Sequence, residues 1–500
     1  MTEYRLAKPE EWEDCIELAN YVFSTAHRPH DFEQLIPRVY QAGPEMARIH
    51  RVAVAENGRL RAEIAVLPQQ MAAGGKLLRA GYVGSVSVHP KARGEGHMKR
   101  LLGDWITDLE GTCDLLALDG QRQRYAYFGF TPGSEKYTFY LDVANVRHTW
   151  KNGELSAYTF APLFPENGEA DEEAAAFAKK LNEEKPLYVV REDVKACLKT
   201  FGEQAIAIWK NGERIGYLAL CGGNQVVEAE VLEEQDFVPA LAAYLKENAL
   251  DSLFISIPVY ETGKAAALSE VCESFTKERC GSAMYRIFQF ADVIEAMLTM
   301  KAETMGISDG TWSAVLEGQP LTVTVKDGTV TVTREAHPGA DVLNREQAQE
   351  LLLSPLASKG SKVPSEIWEE HSIRLVPASA VLCDGRRILG NDCWEGRGKY
   401  ERDSETRRRD EKEEIRYHVI FYGQVQGVGF RYRAYYAAYQ LGLTGWVRNC
   451  WDETVEMEVQ GDEETITEMI KRIRTSSYIE ITDAKWTKIP LESEFGFHIR

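Results

Sequence analysis

The chain has no long apolar run. Across its 500 residues no stretch approaches the roughly 18 consecutive apolar residues of a membrane-spanning helix, and the opening MTEYRLAKPE lacks the apolar centre of a secretory signal. A cytoplasmic location with no membrane partner is therefore expected. Cysteine is scarce as well: nine residues, scattered and odd in number, with no C-x-x-C pair and no metal-like clustering with histidine. Reduced, mostly buried thiols and the absence of a metal follow as expectations. Positive charge is in deficit. With 58 Lys and Arg against 77 Asp and Glu, a formal net charge of -19 repels phosphate backbones over most of the surface, so no nucleic-acid partner is expected. The same acidity suits a cationic substrate or simply aids solubility.

Length alone predicts several domains, at about 100 to 200 residues each. The stretch around which the chain is organised runs from Ala80 to Trp105. Val83, Val86 and Val88 read as a buried strand that Pro90 ends, and from His97 the residues Met98, Leu101, Leu102, Trp105 and Ile106 recur at helical spacing. Between them lies a glycine-bearing turn. Such a turn opening a helix aims unpaired backbone N–H groups one way, at the positive end of the helix dipole, and so seats an anion. Arg93 adds a donor there, while Gly94 and Gly96 let a phosphate approach without meeting a Cβ.

Before this unit come two helical patterns between Tyr4 and Gln41, then a hairpin from Ile49 to Pro68 turning at Asn57-Gly58. After it, Cys113 to Leu118 reads as the next buried strand, followed by Gln123-Arg124-Tyr125-Ala126-Tyr127-Phe128-Gly129-Phe130. Together these features resemble the GNAT N-acetyltransferases. Arg93 and Gly96 match that family's Q/R-x-x-G-x-G/A turn, although Met98 stands at its last place, and Tyr125 begins a Y-x-x-F-G-F pattern. The resemblance implies acetyl-CoA as co-substrate and a small-molecule amine as acceptor. It places the pyrophosphate on the backbone of Arg93, Gly94, Glu95, Gly96, His97, Met98 and Lys99, and the pantetheine arm along Val86, Ser87 and Val88. Tyr125, rather than Tyr127, becomes the acid that protonates the departing thiolate. The general base stays open among Asp119, His89, His97 and a water chain, because the chain-end carboxylate used in the family is missing here.

Residues 147–284 repeat the strand-rich rhythm without a second Arg-x-x-Gly-x-Gly turn, and read as a second GNAT-like domain lacking a cofactor. From 285 to 393 the pattern becomes a helix, a three-strand meander turning at Asp327-Gly328, and a helix at Arg345 to Leu353. This resembles the sterol-carrier-protein-like domain that closes GNAT enzymes of the enhanced-intracellular-survival type, read here as a packing element. Relatives of these three units often form ring-like oligomers, which leaves a homo-oligomer open. No interface is legible. Residues 394–414, charged and almost free of large apolar groups, read as a solvated linker.

The last segment, 415–500, alternates in the order βαββαβ of the ferredoxin-like split unit. Its GQVQGVGFR, from Gly423 to Arg431, and GWVRN, from Gly445 to Asn449, are similar to both signatures of the acylphosphatases. The resemblance implies that Gln426, Gly427, Val428, Gly429 and Phe430 wrap a phosphoryl group, that Arg431 grips its oxygens, and that Asn449 positions the attacking water without a metal. The expected fold class is thus an α/β and α+β multidomain chain: a GNAT domain at 1–146, a second at 147–284, a sterol-carrier-protein-like domain at 285–393 and an acylphosphatase domain at 415–500. The leading expectation is a bifunctional enzyme acting on an amine and an acyl phosphate. The alternative makes the first 390 or so residues an acetyl-CoA-binding sensor fused to the only catalyst.

Overall fold

The computed structural model describes residues 2–26, 31–151, 153–166, 168–201, 204–279, 283–353, 375, 414–426, 428–450, 452–474, 479–492 and 497–499. The linker expected at 394–414 lies outside these up to residue 413, and so does Gly427. The described strands form four sheets, of eight, seven, four and five strands.

The eight-stranded sheet carries the central βα unit. Lys76–Val88 pairs antiparallel with Leu60–Ala73 along nearly its whole length and parallel with Leu115–Asp119 over a short stretch. The helix His97–Leu109 crosses between these two parallel strands, burying Leu101, Leu102 and Trp105, as its spacing predicts. On the opposite side lies the helix Trp12–Ala26, whose Cys15, Leu18 and Ala19 are fully buried. It continues through Ser24, where the sequence shows a polar break.

The sheets do not part where the chain does. Glu135–Asp142, expected within the first domain, crosses to the seven-stranded sheet and lies between Ser252–Pro258 and Ser274–Arg279. In exchange Ala283–Ile287 returns to the first sheet beside Leu115–Asp119. The physical reason is burial: Leu115, Leu116, Ala117 and Leu118 are all buried, and an open edge of such residues would seek another strand. The expected limits near 146 and 284 therefore separate segments of chain, while the two sheets interlock.

In the second sheet Gln225–Val231 and Ser252–Pro258 are parallel over only two residue pairs, Gln225 with Phe254 and Val226 with Ile255. The cleft where they separate is filled by buried charge. Arg191 grips Glu228 with two hydrogen bonds of 2.7 Å, Lys185 approaches it at 3.4 Å, and Lys264 holds Glu230 at 2.8 Å. Burial opposes the charged form of Glu228, but Arg191 and Lys185 outweigh it and hold the carboxyl well below its ordinary range. The support it gives is therefore complete above the ordinary carboxyl value of about 4.3 and is lost as the pH falls below it. Glu228→Gln is expected to cost about 3 kcal/mol by leaving the Arg191 guanidinium buried without a counter-charge. Urea unfolding at neutral pH measures this, and an unchanged midpoint would sink it.

The four-stranded sheet runs Thr329–Thr333, Gln319–Lys326, Gly310–Leu316, Asp341–Leu343. Its Trp312, Leu321 and Val323 pack in one core with Phe290, Ile294 and Met297 of the helix Phe290–Met305, which also reaches Met71 and Leu78 of the first sheet. The fifth-strand addition to the last sheet is Phe497–Ile499, beside the order Glu480–Ile489, Glu414–Gln424, Val455–Asp462, Thr444–Asn449. Helices Phe430–Leu441 and Glu463–Arg474 give it a core of its own.

Candidate active sites

In the first unit, Lys76–Val88 keeps its parallel partner only from Ala80 to Tyr82, opposite Leu115 to Ala117. Beyond Tyr82 that edge faces no strand among the described residues. Val86, Ser87 and Val88 therefore have one edge paired, with Ser87 opposite Glu63 and Val88 opposite Ala62, and the other open. An open edge at a diverging pair can receive an extended, amide-bearing arm.

The chain then turns through Pro90–Ala92, and Gly94 and Gly96 follow at φ of 86° and 82°. A side chain would strain this left-handed backbone, and a Cβ at either glycine would meet nothing within 4 Å, so the space above the turn is open. Gly96 caps the helix without a side-chain hydrogen bond. Among the described residues the first-turn N–H groups of His97, Met98 and Lys99 thus have no side-chain cap from Gly96, a geometry that can receive an anion.

Two of the side chains at this turn face elsewhere. His97 is buried, with Nδ1 2.9 Å from the Tyr4 hydroxyl and Nε2 3.2 Å from Glu95, and Glu95 in turn accepts from Arg61 at 2.6 Å. Both residues brace the turn and offer it only their backbone. The Lys99 ammonium stands 4.6 Å over the Tyr127 ring, and Arg93 is exposed.

Tyr125 is packed with Val83 and Leu116, and Val86 and Val88 lie against the same cluster. Gly120 admits its ring: a Cβ there would stand 2.3 Å from the ring's Cε2. Burial pushes the phenol up to about 12, so it holds its proton at neutral pH. Tyr127 is 69% exposed. Of the candidates for a base, His89 is lowered by burial and then by Lys91, Arg61, Arg59 and Arg93, which leaves it neutral. Its Nδ1 already accepts from the Lys91 N–H at 3.2 Å. Asp119 ends its strand opposite Ala283.

In the last unit the loop after Glu414–Gln424 opens the helix Phe430–Leu441. Gly429 has φ of 86°, and Phe430 is anchored against Phe421 at 4.7 Å between ring centres. The Gln426 side-chain amide donates to the carbonyls of Cys450 and Thr454 at 2.7 and 2.6 Å, separate from the backbone N–H expected to meet phosphate. That strap draws Gln426 to the end of Thr444–Asn449, the strand that carries Asn449. Neither side chain makes a hydrogen bond or ion pair among the described residues, and Asn449 is exposed.

Sequence reading missed two further features. Tyr21, on the helix Trp12–Ala26, lies 5.3 Å from the His89 ring, and a Cβ at Gly429 would stand 2.6 Å from its ring. It therefore sits between His89 and the loop that opens Phe430–Leu441, and Glu17 on the same helix meets Arg433 at 3.1 Å. The other feature corrects the expectation of no metal-like clustering: Cys15, His50 and Glu63 converge within 4.8 Å in the core. Spacing along the chain could not show this, though Glu63, a charged residue inside an apolar strand, was a signal.

Residues 417–499 match the acylphosphatase family, and residues 3–118 match the acetyltransferase (GNAT) domain family. An acylphosphatase from Bacillus pumilus is 39% identical over 77 residues, which is 15% of this chain and 86% of that protein. One from Picrophilus torridus is 50% identical over 64 residues, 13% of this chain and 79% of its own length. A GCN5-related N-acetyltransferase from Anabaena variabilis matches in fold with a TM-score of 0.50 and 15% identity, covering 71% of this chain and 91% of that one. One from Kribbella flavida gives a TM-score of 0.51 at 15% identity, with coverage of 70% and 88%. Through its C-terminal region this chain belongs to the acylphosphatase family, and residues 3–118 are similar to the GNAT acetyltransferase domain.

Proposed function

We propose that the first unit transfers an acetyl group from acetyl-CoA to an amine, and that the last unit hydrolyses acyl phosphates to carboxylate and phosphate. The observation that carries this reading is shared by both: a glycine at left-handed φ stands at the start of a helix, Gly96 before His97–Leu109 and Gly429 before Phe430–Leu441, where backbone N–H groups can meet phosphate oxygens.

In the last unit the backbone from Val428 to Arg431 and the Arg431 fork hold the phosphoryl oxygens, and Asn449 orients a water toward phosphorus. Neither side chain is a base, so the proton leaves the water toward the substrate's own phosphate oxygen. The P–O bond to the acyl group breaks and carboxylate departs.

In the first unit acetyl-CoA supplies the activated acetyl group. Gly94 to Lys99 hold its pyrophosphate and the open edge of Val86 to Val88 aligns its arm; the amine nitrogen bonds to the thioester carbonyl carbon and gives its proton to water, while Tyr125 gives a proton to the sulfur as the C–S bond breaks. The cleft of the second unit is filled by Arg191, Glu228 and Lys264, which supports a scaffold role there. The four-stranded unit fits a sterol-carrier-protein-like domain whose apolar face is covered by Phe290–Met305, in keeping with a packing element.

Separated fragments test the assignment. Residues 415–500 should hydrolyse benzoyl phosphate alone, and residues 1–393 should release thiol from acetyl-CoA with at least one of a panel of polyamines, aminoglycosides and peptides. Acetyl-CoA binding without thiol release across the panel would instead leave a sensor fused to a single catalyst.

A further inference from the structure

Outside both sites, three side chains with metal-binding chemistry meet in the core of the first unit. Cys15 comes from the helix Trp12–Ala26, His50 opens the strand His50–Val54, and Glu63 lies in Leu60–Ala73. A donor atom from each lies within 4.8 Å of the other two, and all three residues are 0% exposed. The walls are apolar. Trp12 and Tyr40 stack with ring centres 5.7 Å apart, and both meet the His50 ring edge-on.

This polar set does not satisfy itself. His50 Nδ1 and Glu63 Oε2 share one hydrogen bond of 2.8 Å, while His50 Nε2 and Glu63 Oε1 are buried with no hydrogen-bond partner. Burial raises the Glu63 carboxyl against the pull of His50 and a hydrogen bond from Cys15, and burial with the neighbouring Glu63 pushes the Cys15 thiol well up. Enclosing these groups in apolar surroundings is costly unless something balances them. A divalent cation does so: thiolate and carboxylate together cancel its charge, and it takes up the Glu63 oxygen that otherwise goes unused. One sulfur, one ring nitrogen and carboxylate oxygen suit zinc, whose bonds of about 2.0 to 2.3 Å set ligand atoms about 3.3 to 3.8 Å apart. The 2.8 Å pair then opens by about half an ångström.

We propose that Cys15, His50 and Glu63 form a buried structural zinc site. Binding makes S–Zn, N–Zn and O–Zn bonds and releases two protons, the thiol's and the one shared by Glu63 and His50, with no change of oxidation state. The second oxygen of Glu63 supplies a fourth ligand atom. The ion staples a helix to two strands, and it is the same helix whose Tyr21 and Glu17 touch the acylphosphatase domain. The site is independent of either catalytic reading.

The test uses the full chain expressed with zinc or, as a spectroscopic probe, cobalt(II) in the medium, because a closed core takes up an ion while it folds. We expect one ion per chain after desalting and a thiolate-to-cobalt band in the near ultraviolet that Cys15→Ala removes. The melting temperature should lie about 5 °C above that of protein expressed under chelation. If Cys15→Ala does not fold, the metal content, band and melting temperature of the unaltered chain decide. Trace metal, no band and equal melting temperatures overturn the proposal and leave a hydrogen-bonded cluster closed by buried water. A band that survives Cys15→Ala overturns it too, by placing the ion on another thiol.

Discussion

Replacing Arg431 by alanine is expected to lower kcat/KM for benzoyl phosphate about a thousandfold, the scale of losing a charged donor aimed at the reacting oxygens. The guanidinium is half-buried and makes no hydrogen bond or ion pair among the described residues, so its removal should cost little stability. Phe430, 1% exposed against Phe421, holds the first turn of the helix in place whatever follows it. Arg431→Lys should restore the charge without the planar fork and recover only part of the loss. Rates measured beside circular dichroism separate catalysis from folding. Hydrolysis by a folded Arg431→Ala protein at the unaltered rate would remove the arginine from the site and favour a domain that only binds anions.

Tyr125→Phe is expected to lower kcat for amine acetylation about a hundredfold, the usual contribution of a positioned acid, with little change in the KM for acetyl-CoA. The ring stays packed against Gly120 and Phe130, so only the proton donor is lost. Since burial pushes the phenol to about 12, the unaltered enzyme should keep this donor protonated up to at least pH 10. Its stabilising effect as a neutral group is likewise intact below the ordinary tyrosine value of about 10 and is lost only as the pH rises through about 12. A thiol-release assay from pH 7 to 10 checks the first statement. An equal rate for Tyr125→Phe would pass the proton to another donor, and Tyr127 is the exposed candidate nearby.

Local chemistry explains what was readable in advance. The strand and helix around Gly94 and Gly96 are written in valine spacing, a proline stop and leucine spacing, and each of these acts within a few residues. The same holds for the loop before Arg431 and the strand that ends at Asn449. Side-chain direction was less legible. His97 and Glu95 turn into a brace with Tyr4 and Arg61, and Gln426 straps its loop to the carbonyls of Cys450 and Thr454, because each partner lies far along the chain.

The sequence by itself determined the type of the elements around the two glycine turns and the acylphosphatase signatures, since short-range sterics and hydrogen bonding govern both. Only the tertiary structure decided that Glu135–Asp142 and Ala283–Ile287 trade sheets, that buried ion pairs close the second cleft, that Tyr21 lies between His89 and the loop that opens Phe430–Leu441, and that Cys15, His50 and Glu63 meet. These depend on which buried edges and faces find each other across more than ten to over a hundred residues, a matter of packing and burial that no local pattern records.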